Sequence, residues 1–166
     1  MNRPLPFDPI ARAAQLWEDR IGPAGTMAAV TGVMRVQQII QSAVDGALKP
    51  HGLTFARYEA LVLLTFSRNA RLPMRVMGER LQLHPTSVTN IVDRLERDGL
   101  VKRVPHPTDR RTTLVEITDE GRALRETATA AVTGIDFGLT GLTERQVEQL
   151  TDLLTKVRKS AGDFTS

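Results

Sequence analysis

The stretch HPTSVTNIVDRLERDGLVKRVPHPTDRRTTLVEIT, residues 84–118, decides the fold. In its first half His84 is followed by Pro85, a favourable helix start, and then by apolar residues at helical spacing. Its second half holds two short strand-like runs, at residues 100–104 and 112–117, with Thr113, Val115 and Ile117 on one face. The intervening loop carries two prolines and two adjacent arginines. The stretch therefore predicts a helix followed by a β-hairpin.

The preceding residues supply a second helix. In PMRVMGERLQLH, Pro73 stands at a tolerated helix start, and Met74, Met77 and Leu81 form an apolar stripe. The letters LQLH give the turn, and His84 caps the helix that Pro85 opens. A helix-turn-helix followed directly by a two-stranded ribbon is a winged helix, so we expect this module here.

Helices are predicted on both sides of the module. Periodicity and breakers indicate a short helix over residues 9–20 and a long one over 27–48. Thr54 and Thr118 are predicted helix N-caps, and Thr143 begins a capping box. The last helix has an apolar stripe made of Val147, Leu150, Leu154 and Val157. The sequence thus predicts a mainly α protein.

Composition excludes several classes of protein. With 166 residues, 41% hydrophobic and 25% charged, the chain resembles an ordinary globular protein. It contains no apolar run of roughly 20 residues, and its N-terminus is unlike a secretory signal, so a cytoplasmic location is expected. It has no cysteine, and its three histidines are far apart, so neither a metal nor a cofactor is expected.

Positive charge is concentrated in the middle of the chain. Residues 68–111 contain ten basic and five acidic residues, a net +5, whereas the remainder carries −2. This distribution points to a polyanion partner. A solvated surface without a partner is the alternative for so modest a bias.

The helix after Pro85 has two unlike faces. At about 100° per residue, Val88, Ile91, Val92 and Leu95 cluster on one side, opposite Thr86, Asn90, Asp93 and Arg97. Short polar side chains on the outer face suit an approach to base edges in the major groove of DNA, and arginines further along suit phosphates. The alternative is a polar face that is only solvated.

The arginine pair in the hairpin loop fits the same interpretation. If the helix lies in the major groove, Arg110 and Arg111 would probe the neighbouring minor groove, which attracts arginines where it is narrow. Asp109 is expected to hold an arginine by a charge-assisted hydrogen bond. The alternative is a surface turn with incidental ion pairing, which contributes little energy.

Several motifs, in order, resemble the MarR family of bacterial transcription regulators. They are the Pro-x-Ser-Val-Thr-like helix start, VDRLERDGLVKR, the Asp-x-Arg wing motif at Asp109 and Arg111, and LVEITDEGRAL. GLTFARYEALVLL resembles the helix that leads into that domain, so the resemblance covers about residues 52–126.

The resemblance implies a homodimer whose N- and C-terminal helices intertwine around two DNA-binding lobes. It divides the chain into dimerisation helices at 1–50, a winged helix-turn-helix domain at 51–118 and further dimerisation helices at 119–166. Such a dimer binds a pseudo-palindromic operator and usually represses nearby genes. Two-fold protein symmetry matches two half-sites about one helical turn apart.

The resemblance also implies which residues contact DNA. The residues expected to contact base edges lie at the start of the helix: Pro85, Thr86, Ser87, Thr89 and Asn90. The residues expected to contact phosphates are Arg75, Arg94 and Arg97. Those expected at the minor groove are the wing residues Asp109, Arg110 and Arg111. Two positions depart from the family pattern: Asn90 replaces a common arginine, and Gln82 replaces a glycine that is common in the turn.

Many members of the family are released from DNA by small phenolic or aromatic acids that bind between the dimer helices and the DNA-binding lobe. The additional helix that carries Trp17 resembles a urate-responsive subgroup, but an acid typical of that subgroup is missing from PMRVMGE. We expect Trp17, Met34 and Tyr58 to be packing residues rather than ligand contacts.

Two other functions are alternatives to DNA binding. An enzyme needs a converging acid, base or nucleophile, and the sequence shows no phosphate loop, nucleophile elbow or metal spacing. A winged helix that binds protein instead of DNA is the second alternative, against which the +5 segment and the wing arginines argue.

Overall fold

The computed structural model describes residues 5–109 and 111–165, so the prediction for Arg110 lies outside the described residues. The described residues form seven α-helices and three β-strands: α1 (Pro9–Arg20), α2 (Gly25–Leu48), α3 (Phe55–Phe66), β1 (Arg71–Pro73), α4 (Met74–Leu81), α5 (Pro85–Arg97), β2 (Val101–Pro105), β3 (Thr113–Ile117), α6 (Asp119–Thr133) and α7 (Glu144–Ser160). The predicted mainly α winged helix-turn-helix is confirmed.

The predicted helix starts are confirmed by their caps. Thr54 Oγ1 accepts the backbone N–H of Arg57, and Thr118 Oγ1 accepts that of Gly121. Thr143 forms the capping box with the side chain of Gln146. Each cap supplies an acceptor for a backbone N–H that has no partner within the helix. The long helix α2 begins at Gly25, two residues before the predicted start.

The sheet has one more strand than the hairpin. Strand β3 lies in the centre, antiparallel to β2 and to β1, with Leu72 opposite Val115. The sequence did not predict β1, because a three-residue run that ends in proline carries no periodic signal of its own. The two hairpin strands begin one residue later than predicted.

The prediction for the inner face of β3 was partly wrong. Val115 and Ile117 are buried as expected, but Thr113 is exposed and Leu114 is buried. Leu114 and Val115 are consecutive, so they point to opposite faces of the sheet, and both are buried because both faces are covered at this point. Simple alternation fails where both faces of a strand are covered.

One hydrophobic core joins the winged helix-turn-helix to parts of α2 and α6. Its fully buried side chains include Leu61 and Leu64 of α3, Met77 of α4 and Leu95 of α5. Helices α2 and α6 contribute four more buried residues to this core: Val44, Leu48, Ala128 and Val132. The core therefore holds α5 rigidly against the rest of this lobe.

The terminal helices contrast with this core. Helices α1 and α7 contain no buried residue, and much of α2 is exposed. Large apolar side chains lie open on them: Leu16, Trp17, Val30, Val33, Met34, Val36, Ile39, Leu153, Leu154 and Val157. Between residues 5 and 165, excluding 110, no helix combines the length and apolarity that a membrane crossing requires.

Candidate nucleic-acid interface

Helix α5 presents its predicted polar face to solvent. Val88, Val92 and Leu95 are at most 2% exposed and pack into the core. The opposite residues are all exposed, among them Thr86 and Asn90. The two-faced helix predicted from periodicity is therefore confirmed.

The start of α5 is built for close approach by a ligand. The Nδ1 atom of His84, the N-cap, accepts the backbone N–H of Thr86 at 3.3 Å, as the sequence suggested. Pro85 is exposed, and its carbonyl accepts the hydroxyl of Thr89 at 3.1 Å. Within the described part of the chain, the side chains of Ser87 and Asn90 make no hydrogen bond and remain free to read a ligand.

The turn before α5 keeps the conformation that glycine would favour. Gln82 ends α4 in the left-handed region, with φ 53° and ψ 43°, and its N–H donates to the Gly78 carbonyl. A Cβ at Gly78 would lie 3.2 Å from the Leu83 carbonyl oxygen and 3.4 Å from Val88 Cγ2, so the two helices pack closely there. The glutamine therefore leaves the turn's shape intact.

The wing loop is held by its own polar groups. Asp109 Oδ1 accepts the backbone N–H of Arg111 at 2.9 Å, and Oδ2 accepts the hydroxyl of Thr112 at 2.6 Å. These two hydrogen bonds lower the pKa of the Asp109 carboxyl. His106 Nδ1 accepts the N–H of Asp109 at 3.1 Å.

The expected hydrogen bond between Asp109 and an arginine is present among the described residues. The Asp109 carboxylate accepts it from the backbone N–H of Arg111. The carboxylate shapes the turn because two donors lie within a single loop of a few residues. The side chain of Arg111 is consequently exposed at the tip.

The three predicted phosphate-binding arginines are all exposed but differ in their partners. Arg75 pairs with Glu79 one turn along α4, and Arg97 Nε lies 3.4 Å from Asp98 Oδ1. Arg94 forms no ion pair among the described residues. Exposed ion pairs are weak, so a phosphate could replace either carboxylate.

An ion-pair network that the sequence analysis missed ties α5 to the wing. Arg103 on β2 binds Asp93 of α5 at 2.6 Å and also pairs with Glu96. The hydrogen bond to Asp93 is the main reason that the pKa of Arg103 is raised. Asp93, predicted on the outer face, thus serves as an anchor for the wing. One feature of the sequence pointed to this role: Asp93 is an acidic residue on a helix face that otherwise suits a polyanion.

The predicted packing residues have different environments. Tyr58 is 5% exposed, and its hydroxyl lies 3.1 Å from Thr129 Oγ1, so packing is confirmed for this residue. Met34 is 64% exposed and Trp17 is 38% exposed. A single subunit does not test the packing prediction for Met34 and Trp17, so for these two residues it stays a prediction.

An exposed polar helix in a helix-turn-helix, beside a hairpin tipped with arginine, defines the DNA-binding winged-helix class of proteins. The model of the MarR family matches residues 51–112. The chain is also 52% identical to Sco5413 from Streptomyces coelicolor, a MarR family transcriptional regulator. That structure has a TM-score of 0.77, and the match covers 85% of this chain and 98% of Sco5413. The chain belongs to the MarR family of transcription regulators, which are not enzymes.

Two further structures illustrate what related proteins bind. Sco3205 from Streptomyces coelicolor, solved in complex with DNA, is 25% identical, with a TM-score of 0.74, over 81% of this chain and 90% of Sco3205. CouR from Rhodococcus jostii RHA1, solved with p-coumaroyl-CoA, is 32% identical, with a TM-score of 0.68, over 81% of this chain and 92% of CouR.

Proposed function

We propose that this chain forms a homodimeric repressor of transcription that binds a pseudo-palindromic operator. In each half-site, α5 enters the major groove, and the wing places Arg111, with Arg110, in the adjacent minor groove. The proposed base-reading residues are Pro85, Thr86, Ser87, Thr89 and Asn90. The proposed phosphate contacts are Arg75, Arg94 and Arg97, and Asp109 shapes the wing.

The observation that carries this proposal is the exposed face of α5. At the start of the helix this face carries short polar side chains, and among the described residues those of Ser87 and Asn90 make no hydrogen bond. The opposite face is anchored in the core at Val88, Val92 and Leu95. A rigid helix with free donors and acceptors on its outside matches the pattern of base edges in the major groove. The net +5 of residues 68–111 supplies the attraction to phosphate.

The exposed apolar residues of the terminal helices support a dimer. Val33 of α2 is 54% exposed, and Leu153 and Val157 of α7 are 60% and 65% exposed. Such surfaces are stabilised when a second copy covers them. We accordingly propose dimerisation helices at 1–50 and 119–166 and a DNA-binding domain at 51–118, with Val44 and Leu48 reaching into the core of that domain.

A small aromatic ligand is proposed to release the dimer from DNA. A groove of about 730 Å³ lies between α2 and the segment 138–154, and Val36, Ile40, Phe55 and Leu154 are among its mostly apolar lining residues. An aromatic ring suits such a lining. CouR, a relative solved with p-coumaroyl-CoA, supports an aromatic acyl group as the first class of ligand to test.

The decisive experiment selects bound fragments from a random DNA pool and then measures affinity at several salt concentrations. We expect one pseudo-palindromic sequence to be enriched. Its binding should weaken steeply with salt, with a log–log slope of about −0.9 for each phosphate neutralised. Hydroxycinnamic acids and their thioesters, added to the complex, should release the DNA.

The result that contradicts this function is equally clear. If no duplex were enriched, and binding to mixed DNA stayed undetectable even in dilute salt, a winged helix that binds protein would be the better conclusion. A scrambled duplex of equal length is the control, because nonspecific affinity shows the same salt dependence without sequence preference.

A further inference from the structure

The C-terminal end of α7 returns to the helix-turn-helix of the same chain. Gln82 Nε2, in the turn between α4 and α5, donates to Asp163 Oδ1 at 2.9 Å, across 81 positions of sequence. Every residue from 151 to 160 in α7 is exposed. The contact therefore joins an otherwise open helix to the element that carries the DNA-reading face.

Asp163 is held ready for this contact by its own segment. Arg158 Nε donates to Asp163 Oδ2 at 2.7 Å, and the Asp163 N–H donates to the Arg158 carbonyl at 3.1 Å. The Arg158 guanidinium carbon also lies 5.2 Å from the centre of the Phe164 ring. Hydrogen bonds from Arg158 and then Gln82 lower the pKa of the Asp163 carboxyl, so it is an ionised acceptor at neutral pH.

Gln82 is an unexpected residue for its backbone conformation. Its φ of 53° lies in the left-handed region, which favours glycine and strains a residue with a side chain. Glycine could form the turn but could not reach Asp163. The contact across the two elements therefore gives a physical reason for a glutamine at this position.

Helix α7 has the length to act as a strut. Its 17 residues span about 25 Å at 1.5 Å per residue. Its apolar residues, Leu153 and Val157 among them, lie on the surface proposed for dimerisation. Its far end meets Gln82, three residues before Pro85 opens α5.

We propose that Gln82 and Asp163 are positioning residues that fix the DNA-reading helix relative to the C-terminal helix. They thereby set the separation between half-sites that the dimer accepts. This role rests on the proposed function, because it requires two lobes that read one duplex. Without the contact, each lobe would turn more freely about its attachment, and the dimer would discriminate less between spacings.

The test uses duplexes with both selected half-sites and a spacer of the preferred length, or one base pair longer or shorter. One base pair moves the half-sites by about 3.4 Å along the axis. Gln82→Gly removes the side chain and keeps the left-handed turn, Asp163→Ala removes the acceptor, and the double variant removes both. Asp152→Ala, which removes an exposed aspartate of α7 outside the contact, is the matched control.

We expect each single variant to bind the preferred spacing about three- to tenfold more weakly, the range for the loss of one ordinary hydrogen bond. The loss of affinity for the altered spacings should be smaller. The ratio of affinities between the preferred and the altered spacings should therefore fall. The double variant should lose no more than either single variant, and Asp152→Ala should behave like the original chain. In an NMR titration, Gln82→Gly should raise the pKa of Asp163.

Two outcomes separate this inference from the proposed function. If the original chain bound its operator, but the variants kept its spacing preference or their losses simply added, the positioning role would be overturned alone. If the original chain bound no duplex at any spacing, the proposed function would fail and the positioning role with it.

Discussion

The DNA-reading lobe and the terminal helices are built on opposite principles. In the lobe, Leu61, Met77 and Leu95 are fully buried, and the polar groups of the wing are satisfied within a few residues. In α1 and α7 no residue is buried. The lobe is complete within one chain, whereas the terminal helices display apolar surface that one chain leaves uncovered.

Under the proposed function, this difference separates the surface that reads DNA from the surface that assembles the dimer. A reading surface must be rigid before DNA arrives, because ordering it on binding costs conformational entropy. An assembly surface is stabilised by its partner instead, so it can remain open in the isolated subunit. The variants below test each half of this contrast.

The largest effect is expected at the exposed face of α7. Leu153→Asp combined with Val157→Asp should raise the dimer dissociation constant about a thousandfold, or about 4 kcal/mol, since two apolar contacts are lost and two charges are added. Sedimentation over a range of protein concentrations measures this change. Thr155→Asp, which adds a charge to the same helix on the side opposite Leu153 and Val157, is the control.

If the double variant sediments as the original chain does at every concentration, the terminal helices are merely solvated and the contrast is wrong. Circular dichroism should show that the lobe of the variant keeps its helices, because neither residue contributes to the core.

A smaller loss of stability is expected where the lobe joins α6. The Cβ of Gly121→Ala would lie 2.1 Å from the Leu100 carbonyl oxygen and 2.8 Å from Ile117 Cγ1. Backbone must move to relieve that overlap, so we expect the free energy of unfolding to fall by about 3 kcal/mol. Denaturant titration at fixed protein concentration measures it.

The matched control is Gly46→Ala in α2, where an added Cβ meets no atom within 4 Å. It should leave the unfolding free energy unchanged or raise it by up to about 1 kcal/mol, because alanine favours a helix. If both variants lost the same free energy of unfolding, the distinction between a tightly packed lobe and open terminal helices would be wrong.

Base reading should be sensitive to the amide of α5. Asn90→Ala is expected to remove about 2 kcal/mol of discrimination at one base pair in each half-site, since an amide can bond adenine through two atoms. Competition binding with operators altered one position at a time measures the preference. A uniform loss over all positions would instead make Asn90 a contact to the DNA backbone.

The wing should contribute somewhat less. Arg111→Ala is expected to weaken operator binding about tenfold, or about 1.4 kcal/mol, and to reduce the salt slope by about one. The dimer should stay intact. Arg145→Ala, on exposed α7, removes the same charge away from the proposed interface and should leave affinity nearly unchanged; equal losses would indicate only long-range electrostatics.

The smallest effect concerns pH and an ion pair on the sheet. The pKa of Glu116 is lowered, first by its hydrogen bond from Lys102, with Arg71 and Arg122 adding further attraction. A lowered carboxyl pKa stabilises the fold above the ordinary pKa of glutamate, and this stability is lost as pH falls through the folded value. Lys102→Gln should therefore cost about 0.5 kcal/mol or less at neutral pH, because the lysine is open to solvent.

That difference should shrink as the solution is acidified. Lys156→Gln on exposed α7 is the control, and unfolding at several pH values compares the two variants. A cost for Lys102→Gln that stayed constant down to pH 3 would show that Glu116 is not the partner that matters.

Local sequence signals predicted much of the reading lobe. Periodicity placed Val88 and Asn90 on opposite faces of α5, and the hydroxyls of Thr54 and Thr118 marked their helix starts correctly. These features depend on residues within one or two turns of each other. Such short-range chemistry can be read directly from residue order.

Contacts between distant segments were not predictable in this way. Strand β1 exists because β3 offers an edge to Arg71–Pro73, and Leu114 is buried because the fold also covers the face of β3 opposite to Val115. Arg103 could not be assigned to Asp93 and Glu96 without the hairpin folded back on α5. In each case the energy comes from a partner whose position the fold supplies.

Residue order alone determined the class of fold, the two-faced reading helix and the caps that begin the helices, because each depends on neighbours along the chain. Only the tertiary structure established that Arg103 joins Asp93 and Glu96, that Gln82 meets Asp163, and that the terminal helices stay open. Those outcomes depend on distances between segments, which the order of residues does not state until the core brings the segments together.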